Sequence, residues 1–295
     1  MTTLLRRVRT TLSIHAHRKV RGLLDGEYTS VFHGRSLEFD DLRPYVAGDE
    51  IKDIDWKATA RLGSLQTRRY VASRKHTIVL VVDTGRNMAA LATSGETKRD
   101  LAILTAGTAA YIASRHGDLI ALVAGDADGT TYHKAESTLG HLERMLQTVH
   151  AKTTLNAGLS GLARQLAFVG RGFRRGHIVI VVADDRELDA AEQKLLRQLN
   201  VRHEILWMTI GDADLVQQSW TTRGMHDVES QQRLPEFVRN DPRVRAEFAA
   251  AVAERATRSE ELFDSLAISS QRVTSEADVV SGFFHLLESH RHARR

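Results

Sequence analysis

The sequence predicts an α/β fold, a mostly parallel sheet with helices on both faces. Three observations carry this. Short β-branched runs such as Ile78–Val82 and Ile178–Val182 read as strands buried on both sides. Segments with apolar residues at helical spacing lie between them, so strands and helices alternate along the chain. With 295 residues, 42% hydrophobic content, no Cys and three Pro, the chain can bury a core that needs no disulfide.

The elements follow in order. Residues 11–24 predict a short helix through Leu12, Val20, Leu23 and Leu24. Residues 25–75 show little periodicity and carry turn signals at Arg43-Pro44 and Gly48-Asp49. Thr77–Val82 is the first strand of the sheet. Leu101, Leu104, Thr108 and Tyr111 mark a helix over 97–115. Leu119–Ala124 is a second strand, and Asp128-Gly129 turns the chain into Thr130–Lys134. Leu139, Leu142, Leu146 and Val149 mark a helix, and Leu155, Leu159, Leu162 and Leu166 mark the next, with Thr153-Thr154 opening it. His177–Ala183 is a buried strand, Leu188, Leu195 and Leu199 a helix, and Glu204–Ile210 a strand. Residues 242–266 predict a long helix with Val244, Phe248, Val252 and Leu262 inward. Ala267–Val273 is a last strand and 276–290 a closing helix. The organisation is then a basic tail and motif segment over 1–75, one sheet domain over 76–290, and a basic tail over 291–295.

The charge is segregated. The net +4 comes from 41 Lys+Arg against 37 Asp+Glu. Residues 1–22 hold six bases and no acid, and three of the last six residues are Arg, so the body carries 32 bases against 37 acids. Basic tails read as solvated ends or as weak contacts with phosphate-rich surfaces; a dedicated nucleic-acid protein would carry its excess on the fold itself. Residues 38–55 hold seven acids and two bases, while 57–75 hold six bases and no acid. No apolar run approaches the roughly 18 residues of a membrane span, and none follows Arg6, Arg7 and Arg9 to make a signal peptide. A soluble, cytoplasmic protein is expected. With no Cys, and no His pair at helical ligand spacing followed by a carboxylate, any metal would be held by oxygen.

Ligands of open α/β sheets bind at the carboxyl ends of the strands. The first strand ends in Asp83, followed by Thr84, Gly85, Arg86 and Asn87, and the strand at 177–183 ends in Asp184-Asp185. Asp83, Asn87, Thr153 and Asp184 form a set of hard oxygen donors of the kind Mg²⁺ accepts. The same residue types are also ordinary turn formers and helix caps. The layout resembles a von Willebrand factor A-type domain, whose metal-ion-dependent adhesion site uses Asp-x-Ser-x-Ser, a Thr and a later Asp. Asp83 matches the first Asp, Thr153 the Thr and Asp184 the late Asp. Gly85 and Asn87 stand where that family has its two Ser. The resemblance implies a Mg²⁺ or Mn²⁺ site in degenerate form.

A second motif precedes the first strand. It contains Glu38, Phe39, Leu42, Arg43, Tyr45, Gly48 and Asp49, and continues through Asp55, Trp56 and Arg61. Arg43 and Arg61 are spaced to pair with Asp49, Asp53 or Asp55, with Tyr45 and Trp56 as apolar anchors. This reads either as a docking surface or as an ion-pair knot that secures the segment to the sheet. The stretch is similar to the signature of domain-of-unknown-function family fifty-eight, bacterial proteins that couple it to a von Willebrand A-like domain. The resemblance implies a MoxR-type AAA+ ATPase, or its client, as partner, and a chaperone-like adaptor role. No Walker A sequence, His-Glu-x-x-His or Gly-x-Ser-x-Gly motif is present, so a non-enzymatic module is expected. A metal-dependent hydrolase and a metal-independent adaptor acting through 38–61 remain as alternatives.

Overall fold

The computed structural model describes residues 3–15, 38–46, 49–71, 76–174, 176–213, 226–230, 232–233 and 241–293. A helix, α1 (Leu4–His15), opens the chain. A small antiparallel pair follows, β1 (Glu38–Pro44) and β2 (Gln66–Val71), with α2 (Trp56–Leu62) between them. Then come β3 (Thr77–Asp83), α3 (Lys98–Arg115), β4 (Leu119–Gly125), β5 (Thr130–Glu136), α4 (Leu139–Lys152) and α5 (Leu162–Gly172). The chain continues through β6 (Ile178–Asp184), α6 (Ala190–Asn200), β7 (Glu204–Ile210), α7 (Pro242–Ser265), β8 (Ser269–Val273) and α8 (Glu276–Ala293).

The large sheet has the order β5-β4-β3-β6-β7-β8 and is parallel except for the antiparallel edge strand β5. Leu80 lies opposite Leu122 on one side and Ile180 on the other, so three aliphatic strands form its centre. Side chains alternate across the pleat. Ile78, Leu80 and Val82 enter a core shared with α1, α3, α4 and α8. Val79 and Val81 enter the opposite core with α5, α6 and Phe263 of α7. This is the α/β sheet with two helical faces that the alternation predicts.

The basic N-terminus is part of that packing. Leu5, Val8 and Leu12 of α1 are buried, and a Cβ on Gly107 would lie 2.5 Å from Val8 Cγ2, so α1 crosses α3 where α3 has no side chain. The carboxylate of Glu143 in α4 accepts the amides of Leu4 and Leu5 at 3.1 and 2.8 Å, which satisfies the free N–H groups of the helix start. Arg7 and Thr11 both bond to Glu276, at 2.7 and 2.9 Å. The sequence places a helix at 11–24 instead; its part beyond residue 15 lies outside the described residues. The short spacing Leu5, Val8 and Leu12 is hidden in sequence by the Arg residues between them.

Two further segments differ from the sequence reading. The helix placed at Leu155–Leu166 begins only at Leu162, and 153–161 is a loop. The long helix α7 buries Phe263 against Trp207, ring centroids 4.9 Å apart, while Phe248 stays 37% exposed and Val244, Val252 and Leu262 are half-buried. The helix therefore packs through its last turns and not along its whole apolar stripe. Among the described residues no helix is long and apolar enough to cross a membrane.

At the amino edge of the sheet His177 and His203 stack, ring centroids 5.7 Å apart. Burial, with His177 and Arg202 nearby, lowers His203 from its ordinary 6.5 to about 4. A base depressed in the folded state contributes its full stability above the ordinary value, and this is lost as pH falls from 6.5 towards 4. The urea midpoint is expected to drop across that window, and His203→Phe to flatten the drop. Val8→Asp is expected to cost about 3 kcal/mol or more by urea denaturation, as an unpaired buried charge, against about 0.5 kcal/mol or less for the exposed Arg9→Asp.

Candidate functional site

Strand order reverses between β3 and β6, and in doubly wound sheets the binding crevice opens at the carboxyl ends of such a pair. Asp83 ends β3 and Asp184 ends β6. Asp83 is 1% exposed; its Oδ1 accepts the Gly85 amide at 2.9 Å and its Oδ2 the Ser160 hydroxyl at 2.5 Å. Burial pushes the Asp83 carboxyl above its usual range. Asp184 Oδ2 accepts Asn87 Nδ2 at 2.7 Å, and its Oδ1 accepts the Asp185 amide at 2.8 Å and the Lys98 ammonium at 2.7 Å. Lys98 Nζ also donates to Asp212 Oδ1 at 2.5 Å.

Lys98 is 1% exposed and stands at the first position of α3, behind the N-cap Thr97, where the helix dipole disfavours a cation. Burial alone would lower its pKa; the facing Asp184 and Asp212 outweigh this and hold the ammonium above its ordinary value. Asp212 follows β7, so the crevice gathers acids from the ends of three adjacent strands.

Ser160 reaches Asp83 because 153–161 is a loop folded back on the sheet edge. The loop is locked to its neighbours: the Arg86 amide donates to Gly158 O, the Ala127 amide to Leu159 O, and Arg86 Nε to Ala157 O, at 2.9, 2.9 and 3.0 Å. Asp126 Oδ2 accepts the Gly158 amide at 3.2 Å. A Cβ on Gly158 would meet Asp128 Oδ2 at 2.7 Å, and one on Gly161 would meet the Asp126 carbonyl at 2.2 Å. These close approaches, and not apolar periodicity, decide the conformation. Leu155 and Leu159 are left 60% and 48% exposed on it.

Of the four oxygen donors read from sequence, the structure joins Asn87 to Asp184 and sets Asp83 beside them. Thr153 is the C-cap of α4, and its hydroxyl donates to Val149 O at 2.8 Å, so it serves its own helix. Gly85 has no room for the hydroxymethyl group of the family pattern: a Cβ there would lie 2.7 Å from Ser160 N and 2.8 Å from Ser160 Cα. Asn87 presents its amide N–H to Asp184; its Oδ1 is buried with no hydrogen-bond partner. A divalent ion needs open carboxylate oxygens. Here every oxygen of Asp83 and of Asp184 already accepts a bond, Lys98 is seated on Asp184, and the unpartnered buried oxygens left beside them are the neutral Asn87 Oδ1 and Thr84 Oγ1. Among the described residues no three His, Cys, Asp or Glu side chains are grouped to hold a metal. As arranged, the residues do not fit a divalent ion.

Sequence reasoning missed Lys98, Ser160 and Asp212. Lys98 carried a signal: a Lys in the first helical turn, where acids are favoured, is a charge out of place. Asp212 obeys the same strand-end rule that singles out Asp83 and Asp184. Ser160 had no signal, since it falls in a segment that reads as helix.

The motif segment forms the β1–β2 pair and what it encloses. Arg43 bonds to Asp49 at 2.6 Å, and Asp49 Oδ2 accepts the Val46 amide at 3.1 Å and faces the Thr67 hydroxyl at 3.4 Å. The Val46 amide and the Arg43 guanidinium hold the Asp49 carboxyl below the usual range. Asp55 caps α2, accepting the amides of Lys57 and Ala58 at 3.0 and 2.9 Å. Arg61 is exposed in the last turn of α2, and Leu42 and Tyr45 are half-buried. Trp56, expected as an anchor, is 62% exposed because it opens α2 on the outer side. Gly48 and the side chains of Glu38 and Phe39 lie outside the described residues.

Fold and site together define a doubly wound α/β domain whose carboxyl-edge crevice is filled by its own polar groups. The chain belongs to the family described as protein of unknown function DUF58, which it matches over residues 41–258. It is 28% identical over 251 residues to uncharacterized proteins of Mycobacterium tuberculosis and Mycobacterium bovis, covering 83% of this chain and 77% of theirs. Among solved structures it is similar to a von Willebrand factor type A protein from Catenulispora acidiphila, with 14% identity and a TM-score of 0.44, over 75% of this chain and 44% of that one. It is also similar to an aerotolerance-related membrane protein from Bacteroides fragilis, with 9% identity and a TM-score of 0.45, over 72% of this chain and 98% of that one.

Gly85→Ser would install the hydroxyl of the von Willebrand A-type pattern by sequence and break the site by geometry. It is expected to cost about 1–3 kcal/mol, as overpacking does, and to speed amide exchange across 156–161.

Proposed function

We propose that this chain is a non-enzymatic protein-binding adaptor that receives its partner over the carboxyl edge of the large sheet. The observation that carries the reading is exposed leucine on the loops at that edge. Leu91, Leu155 and Leu159 are 39%, 60% and 48% exposed on loops around a crevice whose acids are engaged from within. Exposed apolar side chains beside a polar centre are the make-up of an interface. A hydrolase would need a general base or nucleophile able to reach a substrate. Asp83 and Asp184 are buried and bonded at both oxygens. A Ser–His–carboxylate chain, with Ser269 Oγ 3.2 Å from His290 Nδ1 and His290 Nε2 3.5 Å from Glu204 Oε2, lies at the opposite, amino edge, where Ser269 and His290 are buried and Glu204 is half-buried. The resemblance to proteins encoded beside MoxR-type AAA+ ATPases supports that class of partner, and a chaperone-like role in assembly or maturation of a client.

A second reading places the contact on the motif unit, because Ile51, Trp56 and Leu62 are 71%, 62% and 63% exposed there. Binding of the purified MoxR-type ATPase of the same genome to the immobilised chain tests both. Leu155→Asp with Leu159→Asp is expected to weaken binding at least about tenfold, and Trp56→Asp to leave it unchanged. The reverse pattern selects the motif unit. No binding by the wild-type chain overturns the partner.

A further inference from the structure

The structure assigns Lys98 as the resident cation of this site: its ammonium, seated on Asp184, the late acid of the expected ion set, holds the carboxyl edge together. The ammonium shares Asp184 with the expected donor set and adds Asp212, which lies outside it. One positive centre lies 2.7 Å from Asp184 and 2.5 Å from Asp212, and joins the start of α3, the end of β6 and the chain after β7. The joined segments carry further ties: the Thr93 hydroxyl donates to Asp212 O at 2.6 Å and the Ala213 amide to Leu91 O at 3.1 Å.

The rest of the crevice is built around a donor and not around an ion. Asn87 turns its N–H, and not its carbonyl, to Asp184, the only amide orientation compatible with a carboxylate oxygen 2.7 Å away. Ser160 donates to Asp83. A divalent ion entering beside Lys98 would meet like charge, and displacing the ammonium would leave it buried without a partner, with only 2% of its side chain exposed. A carboxylate on a partner would therefore find no open coordination position at this edge, and recognition there needs no metal. The inference stands on these contacts whether or not the carboxyl edge is the docking face.

Mn²⁺ titration of the full chain, followed by electron paramagnetic resonance and thermal melting, tests it. Wild type is expected to bind no Mn²⁺ up to about 1 mM, the weak end of protein sites for hard divalent ions. Lys98→Met is expected to bind about one ion and to melt about 3 °C higher or more with it, an effect that Lys98→Met with Asp184→Asn loses. Should Lys98→Met not fold in EDTA, refolding it with Mn²⁺ present reads the same property, recovery supporting the assignment and failure counting against it. Wild-type binding of one Mn²⁺ that disappears in Asp184→Asn overturns it, as does a folded Lys98→Met that gains nothing. Either result leaves the binding of the ATPase a separate question, since that is read on the leucine variants.

Discussion

A buried ammonium between two carboxylates is the constraint on which the carboxyl edge depends. Lys98 is held where both burial and the dipole of α3 work against it, and only the pair Asp184 and Asp212 makes that position tenable. Removing one partner from such a pair costs roughly 3–5 kcal/mol, because the other charge is then stranded. That penalty couples three segments distant in sequence. The start of α3, the end of β6 and the segment after β7 are thereby tied together, and with them the loop that carries Leu91.

Around this centre the glycines set the surface. Gly85, Gly158 and Gly161 are places where backbone from another loop occupies the volume of a side chain. Their lack of a Cβ lets the 153–161 loop lie against the strand ends and deliver Ser160 to Asp83. The same fold-back turns Leu155 and Leu159 outward. An interior satisfied by its own donors and exposed leucine at its edge are thus two results of one arrangement.

The charge distribution has a physical account as well. The six bases of residues 1–22 suggest a solvated tail, yet Leu5, Val8 and Leu12 bury one face of α1 while Arg7 finds Glu276 and the helix start finds Glu143. The mildly acidic body is partly the counterpart of this basic helix. In the motif unit, Arg43 with Asp49 and the Asp55 cap are local structure, bonds made within the segment itself. Trp56 stands apart from them, exposed.

The strand and helix alternation, the buried centre of the sheet and the strand-end acids Asp83 and Asp184 were legible in the amino-acid sequence, because each rests on local periodicity or on a turn at a known place. Even the motif over 38–61 was visible as a block, although its strands were not. The identity of the site's cation, the role of Ser160 and the turned-away hydroxyl of Thr153 were decided by tertiary structure alone. Lys98 lies 86 residues from Asp184 and 114 from Asp212, and Ser160 lies 77 from Asp83. Periodicity reports which face of an element is apolar, but not which loop backbone fills the space beside a glycine. A donor matched to the family by type and order, such as Thr153, can therefore serve its own helix while the hydroxyl that reaches the site comes from a residue seven positions on.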